Sequence, residues 1–374
     1  MSTALSKGRL KGAGSGRPRT PVPSFGGLPT PVRWVVYIAL VALAAALPSI
    51  PGVADIMSPQ NDWASVLVFP IGLYILMALG LNVVVGYAGL LDLGYVAFFA
   101  IGAYTGAILG SEYGWGFWEA LPVGILLSMI AGLLLGTPTL RLRGDYLAIV
   151  TLGFGEIIRV TANNTDWLGG PRGVTNVPRP PAIGDLTFGA LSTKPYWYLV
   201  LGLIVLVIII GKRLERSRVG RAWAAIREDE DAAELMGVPT LKFKLASFAI
   251  GAGIAGAGGA VYASRTTAIL PDNFPFVLSA LILAAVVLGG SGNIAGVILG
   301  AFLVAWLPER FREFQEFRQL FFGAALVLIM LFRPQGLLPN ARRKAELQEG
   351  SGGMGTLGAE VGAAATQTVE VDKK

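Results

Sequence analysis

Long apolar stretches dominate this chain, and they lack the alternation or periodic polar faces of a soluble fold. A helix needs about 20 apolar residues to cross a bilayer, and spanning segments are either helices or closed barrels. Because the apolar stretches are continuous rather than alternating, they predict helices. We therefore predict an all-α, polytopic integral membrane protein with about ten transmembrane helices, within a range of roughly eight to ten. The predicted crossings are residues 34–50, 64–86, 89–110, 119–139, 146–163, 196–211, 245–263, 276–290, 293–307 and 320–333.

The distribution of basic residues orients these predicted helices. An even number of crossings puts both termini on one side, and cytoplasmic connections carry an excess of Lys and Arg. Cytoplasmic termini place the basic arm, the turn with Arg141 and Arg143, the 212–245 loop and the tail from Arg333 on that side. A rival interpretation treats the first apolar stretch as a secretory signal, because small residues at Ala44–Ala46 follow a basic arm. Its cleavage would leave the other crossings in the same orientation.

Composition narrows the possible chemistry. Of the 374 residues 53% are hydrophobic and only 14% are charged, and the chain has no Cys and no His. Thiol chemistry, disulfides and the commonest acid–base side chain are thereby excluded. The net charge of +6 reflects the basic cytoplasmic segments and does not indicate nucleic-acid binding. Residues 1–33 are predicted to be a disordered basic N-terminal arm and residues 341–374 a disordered tail, which leaves 34–340 as the transmembrane domain.

The longest cytoplasmic connection, residues 212–245, is the most informative segment. Its sequence GRAWAAIREDEDAAELMG (220–237) predicts one short helix, since Ala favours helix and Gly237 and Pro239 fit the helix end. The apolar members of this helix face either a partner or the protein itself. They are Ala222, Trp223, Ile226, Ala233 and Met236.

Within this loop, Asp231-Ala232-Ala233 followed four residues later by Gly237 resembles the EAA motif of ABC importer permeases. Asp stands where Glu is usual, and the distal Ile and Leu-Pro of the longer motif are not evident. The resemblance implies a rigid helical lever that docks into a cleft on a cytoplasmic ATPase; the alternative is a solvated amphipathic connector. The residues assigned to this ATPase-docking loop are Arg227, Asp231, Ala232, Ala233, Glu234 and Gly237.

Other segments resemble LivM-type permeases of the high-affinity branched-chain amino acid ABC transporters, and the similarity extends over 34–340. WLGGPRGV (167–174) is similar to that family's Gly-Gly-Pro-Asn-Gly segment, with Arg172 in place of Asn. The resemblance implies a bacterial inner-membrane location, a LivH-like second permease, LivG-like and LivF-like cytoplasmic ATPases and a periplasmic amino-acid-binding protein. The segments that carry it are 80–104, 140–159, 224–238 and 331–339.

Two glycine-rich interruptions, VVVGYAGLLDLG (83–94) and VVLGGSGNIAG (286–296), lie in different halves of the chain. Such paired breaks either mark a transport pathway or allow close helix contacts, and both interpretations remain open. For the small residues of 250–260, close packing is the preferred interpretation. The candidate pathway residues are Asn82, Gly86, Gly89, Asp92, Glu156, Gly289, Gly290 and Asn293.

Placing an ionisable side chain inside a membrane crossing costs free energy, so such residues are candidates for a functional role. Asp92 lies in the first glycine-rich interruption, and Glu156 lies in the crossing 146–163. Glu156 and Arg159 share a helix face, so the preferred interpretation is a pair that neutralises itself.

The resemblance implies import of Leu, Ile and Val by a subunit without its own ATPase site. No Walker-type phosphate loop occurs in the sequence, so we expect ATP to be hydrolysed by partner subunits and no cofactor to be bound directly. The alternatives are the same architecture for urea or short amides, and an ion-coupled secondary transporter with Asp92 and Glu156 as coupling carboxylates. A membrane enzyme is disfavoured by the lack of His, Cys and clustered carboxylates. PERFREFQEFRQLFF (308–322) predicts an amphipathic helix that lies on the lipid surface or against the binding protein.

Overall fold

The computed structural model describes residues 30–50, 57, 62–140, 145–182, 184, 187–189, 192–310, 323–324, 327, 331 and 336–338. The chain divides into two units, Met1–Ala44 and Ala45–Lys374. The described part of the first unit lies in α1 (Thr30–Ala46), an apolar helix over the first predicted crossing.

The second unit is built from helices, and a helix lies over each predicted crossing from 64–86 to 293–307. Most of the predicted crossing 320–333 and most of the predicted amphipathic helix 308–322 fall outside the described residues, as do most of both predicted disordered tails. The helices are α2 (Trp63–Tyr87), α3 (Val96–Ser111), α4 (Phe117–Thr139), α5 (Asp145–Asn164), α6 (Lys194–Arg216), α7 (Arg218–Glu228), α8 (Glu230–Leu235), α9 (Thr240–Thr266), α10 (Phe276–Gly289) and α11 (Ile294–Arg310).

Several helices meet the physical requirements of a membrane span. By length and composition, 5 of those in the described part of the chain are long and apolar enough to cross a bilayer. They are Trp63–Tyr87, Phe117–Thr139, Lys194–Arg216, Thr240–Thr266 and Pro271–Gly289. An all-α, multi-pass membrane protein follows from these helices.

Helix α2 is broken near its beginning. Phe69 leaves helical geometry, with φ −141° and ψ 124°, directly before Pro70. A proline disfavours helical geometry in the residue before it, which explains the position of the break. Asp62 caps the helix start, where its carboxylate accepts hydrogen bonds from the backbone N–H groups of Ala64 and Ser65.

The connection between α2 and α3 corrects one prediction. A crossing was expected from residue 89, but α3 begins only at Val96, after a non-helical segment over 88–95. Side chains satisfy part of this buried backbone: Thr151 Oγ1 accepts from Leu93 N at 3.0 Å, and Ser279 Oγ accepts from Val96 N at 2.9 Å. Non-helical backbone at membrane depth is tolerated where protein groups satisfy it in this way.

Helix α9 lies at the centre of the packing and contacts α3, α4 and the second half of α2. Small residues allow this arrangement, because a Cβ on Gly102 of α3 would overlap the carbonyl oxygen of Gly256 on α9. Ser128 of α4 donates to the carbonyl oxygen of Phe98 at 3.1 Å. The packing interpretation of residues 250–260 is thus confirmed.

The unit Ala45–Lys374 has two ends that matter for function. The loop end carries the 217–239 connection between α6 and α9, together with α7 and α8. The opposite, distal end carries the 165–193 connection and the α9–α10 connection. A short antiparallel ribbon joins these two distal connections, with β1 (Val174–Thr175) paired to β2 (Ala268–Ile269).

Candidate functional site

The 217–239 connection forms two helices rather than the single helix predicted over 220–237. Asp229 separates α7 from α8 because its backbone is extended, with φ −155° and ψ 111°. Its side chain caps α8, accepting from Ala232 N at 3.0 Å. Asp is a strong N-cap residue, so a second helix start inside the charged run EDED is the physical reason for the break.

The end of α8 has the tight turn that the motif resemblance implies. Gly237 has φ +84°. Its N–H donates to Glu234 O at 2.9 Å, and Val238 N donates to Ala233 O at 3.0 Å. This hydrogen-bond pair is a Schellman cap, which requires a left-handed residue where Gly237 stands.

The two faces of this loop differ sharply in exposure. Trp223 and Ala233, together with Ala222 and Ile226, are buried against the chain's own bundle, and Trp223 Nε1 donates to Phe243 O at 2.7 Å. Ala233, at 5% exposure, is therefore packed inward, and a charged substitution there would disturb the loop itself as well as any docking.

The outward surface of α8 ends in two large apolar side chains. Leu235 is 88% exposed and Met236 is 84% exposed, beside the exposed Asp231, Ala232, Glu234 and Gly237. The sequence prediction included Met236 among apolar residues of undecided direction but did not single out Leu235. No sequence signal marked Leu235 as outward-facing, because the directions of the side chains in α8 depend on the helix break at Asp229.

An ion pair ties α8 to the bundle. Lys244 in the first turns of α9 pairs with Glu230 at the start of α8, and the Lys244 side chain is only 3% exposed. A buried charge of this kind is costly without its partner, so the pair fixes the position of α8 relative to α9.

Arg227, assigned by resemblance to the docking loop, points toward the first glycine-rich interruption. Its Nη1 donates to the carbonyl oxygen of Gly86, and its side chain packs so closely on Gly89 that a Cβ there would lie 2.9 Å from Arg227 Cγ. The Tyr87 ring stacks on Trp223, with centroids 6.3 Å apart and planes 13° apart. The loop and the end of α2 are therefore one connected structure.

The two glycine-rich interruptions meet at this loop end. The Asn82 side chain is buried, and its Oδ1 accepts from Gly292 N at 2.8 Å. A Cβ on Gly86 would overlap Asn82 Oδ1 and lie 2.6 Å from Gly292 N. The two glycine-rich interruptions, which lie in different halves of the sequence, are thus in direct contact in the structure.

The second interruption is held from the C-terminal side as well. Asn293 Oδ1 caps α11 by accepting from Ala295 N at 3.1 Å, while its Nδ2 donates to Leu338 O at 2.9 Å. Leu338 N in turn donates to Gly289 O at 3.1 Å, next to Gly290 at the end of α10. The 331–339 segment that carries the family resemblance therefore contacts this turn through residues 336–338.

The two predicted carboxylates lie in different environments. Asp92 is fully buried, and its Oδ1 accepts from Gly94 N at 2.9 Å, which shapes the turn into α3. Its Oδ2 has no hydrogen-bond partner in the part of the chain that the structure describes.

Glu156 stands apart from the other candidate pathway residues. Its Oε2 accepts from Arg159 Nε at 2.7 Å, and both side chains are partly exposed. Arg159 Nη1 also lies 3.5 Å from Asp272 Oδ1 at the distal end. The self-neutralising pair expected from the spacing is present, and the structure does not bring Glu156 to the loop end.

A bundle of apolar helices, with a loop that carries exposed apolar side chains at one end, is typical of the membrane-spanning subunit of a transporter. The family model described as "Branched-chain amino acid transport system / permease component" matches residues 64–330, and the chain belongs to this family.

Relatives across several organisms agree with this family. The chain is 42% identical over 375 residues to the high-affinity branched-chain amino acid transport system permease protein LivM of Escherichia coli K12, covering 94% of this chain and 84% of that protein. It is 47% identical over 300 residues to LivM of Salmonella typhimurium LT2, covering 74% of this chain and 70% of that protein. It is 26% identical over 334 residues to a probable LivM of Methanocaldococcus jannaschii, covering 74% of this chain and 94% of that protein. No solved structure matches the chain.

Proposed function

We propose that this chain is the membrane-spanning permease subunit of an ATP-driven importer that moves Leu, Ile and Val across the bacterial inner membrane. The observation that carries the proposal is the loop end, where exposed apolar side chains on α8 lie on a loop bound directly to the first glycine-rich interruption. The end of α2 in turn binds the second interruption through Asn82. Such a loop receives a partner on one face and holds the membrane helices on the other.

In this proposal the loop end faces the cytoplasm and docks an ATPase. Leu235 and Met236 enter a cleft on that subunit, and the Schellman turn at Gly237 keeps α8 short and rigid. Movement of the loop then passes from α8 to α9 through the Glu230–Lys244 pair, and from α7 to α2 through Arg227. The glycine-rich breaks at Gly86 and Gly292 are the points at which close backbone packing is rearranged.

The proposed assembly contains a LivH-like second permease, LivG-like and LivF-like ATPases and a periplasmic amino-acid-binding protein. ATP is bound and hydrolysed by the ATPases, and the binding protein supplies most of the substrate selectivity. The names of the relatives, which are high-affinity branched-chain amino acid permeases, support this substrate class.

Reconstitution with these partners in liposomes tests the proposal. We expect uptake of radiolabelled leucine, isoleucine and valine that requires ATP on the loop-end side and the loaded binding protein on the distal side. Uptake of urea instead of leucine would show that the importer transports urea or short amides. Leucine uptake driven by an ion gradient without ATPases would overturn the proposal.

A further inference from the structure

Four exposed arginines lie where α6 ends and α7 begins, and we call them the basic cluster. They are Arg213 and Arg216 in the last turn of α6, and Arg218 and Arg221 in the first turn of α7. In the part of the chain that the structure describes, no carboxylate forms an ion pair with any of them. The function proposed above gives this cluster no role.

A tight turn holds the two halves of the basic cluster together. Ser217 Oγ donates to Leu214 O at 2.7 Å and accepts from Gly220 N at 3.3 Å. A Cβ on Gly220 would overlap Leu214 O, so glycine lets α7 approach the end of α6 this closely. Arg221 Nη1 donates to Arg216 O at 3.4 Å. Positive side chains are thus held side by side, an arrangement that repels itself and that an anion stabilises.

The exposed apolar surface of α6 leads directly to the basic cluster. Leu206 is 51% exposed and Ile209 is 50% exposed. Arg213 and Arg216 follow Ile209 by four and seven residues, so they share its helix face. At a rise of 1.5 Å per residue they lie about 6 and 10 Å beyond it along the axis. Since α6 is long and apolar enough to cross a bilayer, acyl chains against this face bring lipid headgroups to the level of the arginines.

The acidic residue within this segment does not share that face. Glu215 follows Arg213 by two residues, which places it about 200° around the helix. The face that begins with Leu206 and Ile209 therefore ends in positive charge alone. Groups of about four to eight basic residues next to the cytoplasmic end of a membrane helix are typical of sites for anionic lipids.

We propose that the basic cluster binds the phosphate headgroup of an anionic phospholipid whose acyl chains lie against Leu206 and Ile209. Guanidinium groups suit this ligand, because they donate paired hydrogen bonds to phosphate oxygens. A soluble anion or an acidic protein surface gains nothing from the adjoining apolar face, so the continuity of that face with the cluster favours lipid. This inference concerns the membrane and goes beyond the proposed function, since it does not depend on the transported substrate.

Lipid quenching at a single thiol measures this binding, because the natural chain contains no Cys. Ile209→Cys is labelled with bimane, and the labelled permease is assembled into the complete importer in phosphatidylcholine bilayers. A small share of doxyl-labelled phosphatidylglycerol is then compared with phosphatidylcholine that carries the same doxyl chain. We expect phosphatidylglycerol to be bound at least about fivefold more tightly beside the label. Raising the salt concentration from about 0.1 to 1 M should abolish most of this preference, because it shortens the screening length from about 10 to 3 Å.

Charge variants identify the side chains responsible. Arg213→Gln combined with Arg216→Gln should lower the preference to less than about twofold, whereas Arg213→Lys combined with Arg216→Lys should retain most of it. The matched control is Arg172→Gln combined with Lys194→Gln, which removes the same charge from exposed positions at the distal end and should leave the preference unchanged. Thermal unfolding of each variant checks that the fold is retained.

Several outcomes would overturn the lipid site. Equal quenching by the two lipids, or a preference that survives in the double glutamine variant, contradicts it directly. Quenching by neither lipid would show that protein covers this face of α6. A preference that the permease alone shows but the assembled importer lacks would assign the cluster to a partner subunit. A preference lost in millimolar inorganic phosphate at constant ionic strength would assign it to a soluble anion. Because the measurement is lipid binding, a failure of leucine uptake would overturn the proposed function and leave this inference standing.

Discussion

Truncating the exposed apolar pair at the end of α8 is the sharpest perturbation that the docking loop offers. Leu235→Ala and Met236→Ala remove side chains that are 88% and 84% exposed in this chain. Because neither packs on the bundle, the fold should not change, and thermal unfolding of the purified permease should shift by no more than the scatter of exposed substitutions. Any loss of binding is then a property of the interface.

The magnitude follows from the area that docking can bury. Full burial of a Leu or Met side chain is worth about 1.5–3 kcal/mol, and nearly all of each side chain is available. Since Ala retains one methyl group, each truncation should cost about 1–2 kcal/mol, and the double variant about 2–4 kcal/mol. Each 1.4 kcal/mol is tenfold in affinity, so the double variant should bind the ATPase roughly 30- to 1,000-fold more weakly.

The assay is a titration of the permease in lipid nanodiscs with fluorescently labelled ATPase subunits. Leu270→Ala is the control, since Leu270 is an exposed apolar residue at the distal end. A double variant that binds as tightly as the natural chain would refute the docking surface, whatever its effect on uptake. A double variant that binds weakly and unfolds at a markedly lower temperature would refute the reasoning that these side chains are free of the bundle.

Three further perturbations address the connections behind that surface. Glu230→Ala leaves the buried Lys244 ammonium without its partner and should cost roughly 2–4 kcal/mol, more than Lys244→Met, as measured by thermal unfolding in detergent; equal costs would contradict the pairing argument. Gly86→Ala overlaps Asn82 Oδ1 and should cost about 1–3 kcal/mol by displacing the hydrogen bond to the second interruption. Gly106→Ala, whose Cβ meets nothing nearer than 3.6 Å, should be nearly neutral in the same measurement. Gly237→Ala forces a positive φ on a residue with a Cβ and should lower ATP-driven uptake more than Gly237→Asn does, because Asn tolerates that conformation; the reverse order would argue against the turn.

The continuous apolar stretches of the sequence predicted the positions of the helices well, because the ability of a segment to cross a membrane depends on its own sequence. A membrane crossing needs its own run of about 20 apolar residues, whatever its neighbours are, and 5 helices in the described part of the chain meet this requirement. The exception is 88–95, where a third crossing was placed too early. Hydropathy does not distinguish a buried non-helical segment from a helix, and the hydrogen bonds that stabilise this one come from Thr151 and Ser279, far away in sequence.

The candidate site was predicted in parts but not as an arrangement. Glycine content marked both interruptions, yet only the structure shows that Asn82, directly before the first interruption, binds Gly292 of the second. The docking motif was visible in sequence, but the inward direction of Ala233 and the outward direction of Leu235 depend on the break at Asp229.

Helix α9 runs without interruption from the loop end to the distal end over 27 residues. At a rise of 1.5 Å per residue it is about 40 Å long, so it behaves as one strut between Lys244 and Arg265. A strut transmits displacement in either direction, and binding free energies coupled through it are reciprocal. If ATPase docking at the loop end changes the affinity of the distal end for a ligand by some factor, that ligand must change the affinity for the ATPase by the same factor.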